Sequence, residues 1–226
     1  MIELTLDSGV RDRWSGEVAL GLVSLEGLAN AATAGPALKA EIKSTISELR
    51  AKGNTVLEDP VVQRMRTTFK AMPDMDPSRY RPASESLIRR CLEKDFLRIN
   101  PIVDVNNLLS IRLRVPLGIY DLERMASACT YRIGHAGETY ATISQMVKNA
   151  DGKLVLADSS GVIGSPVADS GRAIIRNETT RVAVVVYLPF DTATGDAEKM
   201  NEEIEAAFVR HFSARAAQRT VLHRAV

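Results

Sequence analysis

The densest chemistry in this sequence lies between Arg81 and Asn107. It reads Arg81-Pro82-Ala83-Ser84-Glu85-Ser86-Leu87-Ile88-Arg89-Arg90 and then Arg98-Ile99-Asn100-Pro101-Ile102-Val103-Asp104-Val105-Asn106-Asn107. Groups with fixed donor and acceptor geometry alternate with apolar positions, so several of them must be half buried. Buried Asn, Asp and Arg cost free energy unless they are paired. The stretch is therefore either one internal network joining two helices or the lining of a pocket. Asp104 and Asn107 fall one helical turn apart on the same face, where they can serve one space together. Ser84 reads as an N-cap, and so does Asp121 in Tyr120-Asp121-Leu122.

Familiar catalytic signatures are missing. The sequence has no GxxxxGK[ST] phosphate loop, no GxGxxG, no HExxH and no GxSxG elbow. Its histidines are His135, His211 and His223, and no pair has metal-ligand spacing. No metal or cofactor is expected. His135, in the turn Gly134-His135-Ala136-Gly137, is a candidate for proton transfer. Cys91 and Cys129 have no CxxC spacing and lie in apolar surroundings, so they read as reduced core thiols.

The elements that must position these residues follow from composition and periodicity. With 226 residues, 45% hydrophobic and 25% charged, the chain is globular in composition, and its length favours one domain. Strands are expected at 2–6 and 16–25. Pro36 opens a helix with Leu38, Ile42, Ile46 and Leu49 at helical spacing, closed by Gly53-Asn54. The proline-punctuated segment from Pro60 to Pro82 reads as too polar for core. Helices follow after Ser84 and from Pro101. Strands are then expected at 129–133, 154–158, 172–176 and 181–188, with a closing helix at 196–212. Helices and strands are grouped rather than alternating, which indicates an α+β fold of mixed sheet layers flanked by helices.

Charge narrows the partners. The total is 29 Lys/Arg against 28 Asp/Glu, which excludes a strongly cationic protein. Between Arg64 and Arg98, however, nine basic residues face five acidic ones, and Arg210, Arg215, Arg219 and Arg224 recur at near-helical spacing. These are either solvated faces or an anion-binding surface. Aromatic residues make up only 5%, which argues against a general binder of single strands. The acidic start lacks the features of a signal peptide, and the longest apolar run, Val182 to Phe190, is far short of the roughly 18 residues that span a bilayer. A cytosolic chain with no membrane or DNA partner is expected.

Several blocks resemble one family. Arg81-x-x-Ser84-Glu85-x-Leu87-x-Arg89-Arg90, Ile99-Asn100-Pro101-x-Val103-Asp104-x-x-Asn107 and Pro116-Leu117-Gly118-x-Tyr120-Asp121-Leu122 are similar to the B3/B4 domain of the phenylalanyl-tRNA synthetase β chain. The likeness continues through Gly137-Glu138-Thr139 and Leu156-Ala157-Asp158 to the valine-rich strand after Thr180, and covers roughly residues 60–190. It implies a single domain over 1–226, with a B3/B4-like core at 60–190, a strand–helix flank at 1–59 and a helical flank at 191–226. The blocks Asp169-Ser170-x-Arg172 and Arg64-x-Arg66, with the chain length, resemble a freestanding branch of the family. In the synthetase that domain hydrolyses tyrosine wrongly attached to tRNA. This chain departs from its pattern: Gly118 stands where the synthetase motif has a histidine, and Val184 or Val185 where it has a glutamate.

Two functions are open on this resemblance. One is a deacylase that hydrolyses a mischarged aminoacyl-tRNA in trans, with Asn100, Asn107 and Ser84 positioning or donating and Asp104, Glu85 or Glu138 steering water or holding the α-ammonium. The basic segment containing Arg66 would then meet the acceptor end of tRNA. The other is a non-catalytic binder of tRNA or of an amino-acid-like ligand, whose carboxylate Arg81 or Arg89 would clasp. Asp169 completes the expected binding set. A third, bland reading makes Arg81, Glu85, Asp104, Asn107 and Asp121 a structural network.

Overall fold

A computed structural model describes residues 1–29 and 33–224. Strand β1 (Glu3–Leu6) leads through the short helix α1 (Ser8–Arg11) to the long strand β2 (Val18–Glu26). Four helices follow: α2 (Pro36–Lys52), α3 (Pro60–Lys70), α4 (Ala83–Glu93) and α5 (Pro101–Leu113). The second half holds β3 (Leu117–Asp121), β4 (Ala128–Ile133), the hairpin β5 (Thr139–Ala141) and β6 (Val147–Asn149), β7 (Leu154–Asp158), β8 (Gly161–Gly164) and β9 (Arg181–Tyr187). Helix α6 (Thr194–Phe212) and strand β10 (Arg215–His223) close the chain.

Two four-stranded sheets form, in the orders β1-β4-β7-β8 and β10-β2-β9-β3. The second is antiparallel throughout, with Leu22 opposite Val185 and Val184 opposite Ile119. It is the middle layer of the fold. On one face Val182, Val184 and Val186 meet Leu38, Ile42 and Ile46 of α2 together with α4, α5 and α6. On the other, Ala183, Val185 and Tyr187 meet Leu154 and Leu156 of the first sheet, with Met65 and Phe69 of α3. A strand buried on both faces needs apolar residues at every position, which explains the unbroken valine run of β9.

The α+β architecture and most element positions agree with the sequence reading, and four local expectations are corrected. The segment after Pro60 is not loose. Asp59 caps α3 by accepting the Val61 amide at 3.0 Å, and Val62, Met65 and Phe69 recur on one buried face. Residues 172–176 form no strand, because Arg172 turns aside to bond Asp158 at 2.7 Å while the Ala173 carbonyl takes the Asp121 amide at 3.0 Å. Ser84 is not the cap of α4: the helix starts at Ala83 after Pro82, and the Ser84 hydroxyl donates to the Arg114 carbonyl at 3.2 Å. The C-terminal flank, expected to be helical, divides at Ser213, whose left-handed backbone ends α6 before β10. Arg215 and Arg219 thus sit on an edge strand, where they pair with Glu26 and Glu205.

Asp121 does cap, accepting the Glu123 amide at 3.0 Å, and its second oxygen accepts the Thr179 hydroxyl at 2.6 Å. Both cysteines are buried free thiols; burial pushes Cys91 up and Cys129 up to about 12, so neither is a nucleophile at neutral pH. Among the described residues no helix is long and apolar enough to cross a membrane. The role of α3 in the inter-sheet core gives a direct test. Phe69→Ala, at a fully buried position, is expected to lower unfolding free energy by about 3–5 kcal/mol in urea denaturation.

Candidate functional site

Strand β3 is an edge strand, and the site is built from what covers that edge. Three groups do so. Asn106 Nδ2 donates to the Leu117 carbonyl at 3.2 Å, the Ile119 amide points at the Asp169 carboxylate, and the Asp121 amide bonds Ala173. Among the described residues no further strand pairs there. The loop between β8 and β9 is pinned in place by the Ala83 amide, which starts α4 and donates to the Pro166 carbonyl at 2.9 Å. Tyr140 of β5 holds the same loop through Ser165 Oγ and the Ala168 carbonyl, both at 3.0 Å.

Between the two helices, this edge and this loop lies a cavity of about 350 Å³. Helix α4 lines it with Ala83, Ser86, Leu87 and Arg90, and α5 with Val103, Asn106, Asn107 and Ser110. Each set has the spacing i, i+3, i+4, i+7, so one whole face of each helix looks into the space. Leu117, Ile119, Ile174 and Ile175 supply most of the remaining apolar wall, and among the described residues Asp169 is its single carboxylate. Exposed Ile99 and Ile143 form an apolar rim. Arg90 reaches the same lining, and its side chain makes no hydrogen bond or ion pair among the described residues.

Asp169 is the tuned group. Burial raises its carboxyl to about 7, although hydrogen bonds from the Tyr120 hydroxyl and the Ile119 amide work the other way. Tyr120 Oη lies 2.7 Å from Asp169 Oδ1 and 2.7 Å from the hydroxyl of Tyr187. Burial drives both phenols well above their ordinary range, so they stay protonated. This arrangement depends on two glycines. A Cβ on Gly118 would overlap the Tyr120 hydroxyl, and one on Gly164 would overlap both that hydroxyl and Asp169. The missing side chain of Gly118 is thus the space in which Tyr120 lies.

The expected site residues separate into those at the cavity and those away from it. Asn107 and Asp169 line it. Glu85 does not: it is 1% exposed on the other side of α4, and its Oε1 receives Arg66 at 2.9 Å, Arg89 at 2.8 Å and Arg81 at 3.6 Å. Asp104 is also buried, accepting the Ile99 amide at 2.8 Å and Arg98 at 3.4 Å, so it holds the loop before α5. Asn100 caps that helix through the Val103 amide at 3.0 Å. Glu138 is clasped by both terminal nitrogens of Arg132 at 2.7 Å, and this pairing keeps its carboxyl below the usual range. His135 donates its backbone amide to Glu138 and does not line the cavity. Ser84 lies beside the cavity residues but turns to Arg114. Sequence reasoning missed Asn106, Arg90 and Ser110. The signal that marks them is helical spacing: Asn106 and Ser110 fall three and seven after Val103, and Arg90 three after Leu87.

A B3/4 domain model matches residues 68–226, the stretch that contains the cavity, β3 and, of the arginine cluster, Arg81 and Arg89. The chain belongs to the B3/4 domain family. Its relatives include the phenylalanine–tRNA ligase β subunit of Leifsonia xyli subsp. xyli, 27% identical over 153 residues, which cover 66% of this chain and 18% of that subunit. The β subunit from Streptomyces avermitilis is 30% identical over 169 residues, or 69% of this chain and 20% of the subunit. The chain therefore spans about a fifth of the length of these relatives. The crystal structure of an N-terminal fragment of the phenylalanyl-tRNA synthetase β subunit from Pyrococcus horikoshii shares the fold, with a TM-score of 0.50 at 12% identity over 95% of this chain and 50% of that one.

Within this B3/4 fold the buried carboxyl makes a prediction about pH. Its folded pKa of about 7 exceeds the ordinary aspartate value of 3.8, so the folded state keeps a proton that the unfolded chain has lost. Stability conferred by that proton is complete at low pH and declines as pH rises through this window. Asp169→Asn lacks the decline, so its stability relative to the native chain is expected to rise by about 2–4 kcal/mol between roughly pH 4 and pH 8 in chemical denaturation. A second prediction concerns packing: Gly118→Ala is expected to destabilise by about 1–3 kcal/mol because Tyr120 must leave its place.

Proposed function

We propose that this chain hydrolyses the ester of a mischarged aminoacyl-tRNA in trans. One observation carries the reading: a carboxyl poised near neutral pH, Asp169, faces the same apolar cavity as the Asn107 amide. An aminoacyl ester is already activated, so a held water and a donor for the developing oxyanion suffice. In this scheme the Asp169 carboxylate takes a proton as water adds to the ester carbonyl. Asn107 Nδ2 donates to the oxyanion, and the carboxylic acid returns the proton to the departing ribose oxygen. Tyr120 fixes the carboxylate's orientation through its hydroxyl.

Affinity would come from phosphate. Glu85 can neutralise only one of the three guanidiniums around it, and Arg66, Arg81 and Arg89 remain partly exposed. Such a cluster suits the backbone of the tRNA acceptor end, with Arg90 reaching it from the cavity side. A cytosolic setting follows from this substrate.

One observation favours the alternative, a non-catalytic binder of tRNA or of an amino-acid-like ligand. Glu85, Asp104 and Glu138 are each committed to arginines or backbone amides, which leaves Asp169 as the sole carboxylate of the lining among the described residues. Amino-acid release from bulk tRNA charged with a panel of cognate and mismatched residues separates the two. The deacylase reading expects release of one or a few amino acids, reduced about 100-fold or more in Asn107→Ala and in Asp169→Asn while the fold is kept. Salt-dependent tRNA binding without release across the panel would leave the binder. In either case Arg81→Ala is expected to lower the slope of log affinity against log salt by about one.

A further inference from the structure

Asn106 is 3% exposed and lines the cavity. Its amide is half used. Nδ2 is held by the Leu117 carbonyl, while Oδ1 is buried and has no hydrogen-bond partner among the described residues. The bond to Leu117 fixes which atom is which, because the carbonyl can accept only from the amide nitrogen. A buried acceptor without a donor costs free energy, and a native structure seldom retains one without a use. Around it the wall is branched and aliphatic, with Val103, Leu117, Ile119 and Ile175, and no aromatic ring among the described residues lines the cavity.

We propose that Asn106 Oδ1 accepts a hydrogen bond from a hydroxyl on the ligand's side chain, so that the cavity selects aliphatic hydroxy amino acids, serine or threonine, over apolar isosteres. This rests on the reading of the cavity as an aminoacyl site. An apolar pocket alone discriminates weakly between a methyl and a hydroxyl, whereas a site with a buried acceptor penalises the ligand that leaves it unpaired. The absence of an aromatic face in the lining directs the choice to aliphatic rather than phenolic hydroxyls.

The test uses non-hydrolysable 3′-aminoacylamino-adenosines bearing threonine, valine, tyrosine or phenylalanine, titrated calorimetrically into the native chain. The expected result is at least tenfold tighter binding of the threonyl than of the valyl compound. That preference should vanish in Asn106→Leu, whose fold is verified by thermal unfolding. Equal affinity for the threonyl and valyl compounds overturns the proposal with no variant needed, as does a preference that survives Asn106→Leu. Tighter binding of the tyrosyl than of the threonyl compound overturns the aliphatic assignment. Release of amino acids from charged tRNA without this threonine preference leaves the hydrolase reading standing and removes only the specificity claim. Failure of all four compounds to bind removes the specificity claim as well. Joined to an absence of release, it removes both.

Discussion

An open strand edge must be closed, and in this fold the closure of β3 is also the making of the cavity. Backbone donors and acceptors on an edge attract other strands unless something else meets them. Here a helix side chain, a loop carboxylate and a loop carbonyl meet them in turn, through Asn106, Asp169 and Ala173. Side chains and loops do not lie flat against an edge as a strand would. They hold it at intervals, and the space between them is where a ligand can lie. The same bonds that satisfy β3 therefore set the position of the polar groups that face the space.

The polar residues of α4 divide by face into those that line the cavity and those that form an ion-pair cluster. One face carries Ser86, Leu87 and Arg90 to the cavity. The opposite one carries Glu85 and Arg89, joined by Arg66 from α3 and Arg81 from the preceding loop. Stripping one partner from a buried carboxylate of this kind is costly, because the remaining charge is left uncompensated. A second hub works similarly at the surface, where Glu41 of α2 joins Arg112 of α5 to His211 of α6. Burial works to raise the Glu41 carboxyl, but the His211 bond and the nearby cations prevail and lower it.

Much of the scaffold was legible because its apolar periods are strong. Leu38, Ile42, Ile46 and Leu49 announce α2, and the valine run announces β9. The misses have physical causes. Pro60 looks like a breaker but stands at the first position of α3, where its missing amide costs nothing. Arginines at near-helical spacing concealed β10, whose mixed burial gives no clean alternation. At the site, Asn107 and Asp169 were visible in short blocks, yet their company was not. Asn106 looked redundant beside Asn107, and nothing in Ser84-Glu85-Ser86 distinguishes the carboxylate that turns toward arginines from the hydroxyl that turns toward the cavity. Which face of a helix is buried against which neighbour is decided by tertiary packing, and adjacent residues carry no mark of it.

The fit of Tyr120 over Gly118 and Gly164 also constrains how this sequence can change. The ring, the two missing side chains and the Asp169 carboxylate share one volume, so a larger side chain at 118 or 164 displaces the Tyr120 hydroxyl. A histidine at position 118 would require a smaller residue at 120 first. That first step removes the hydroxyl holding Asp169. Bulk at position 118 and the Tyr120–Asp169 hydrogen bond therefore exclude each other.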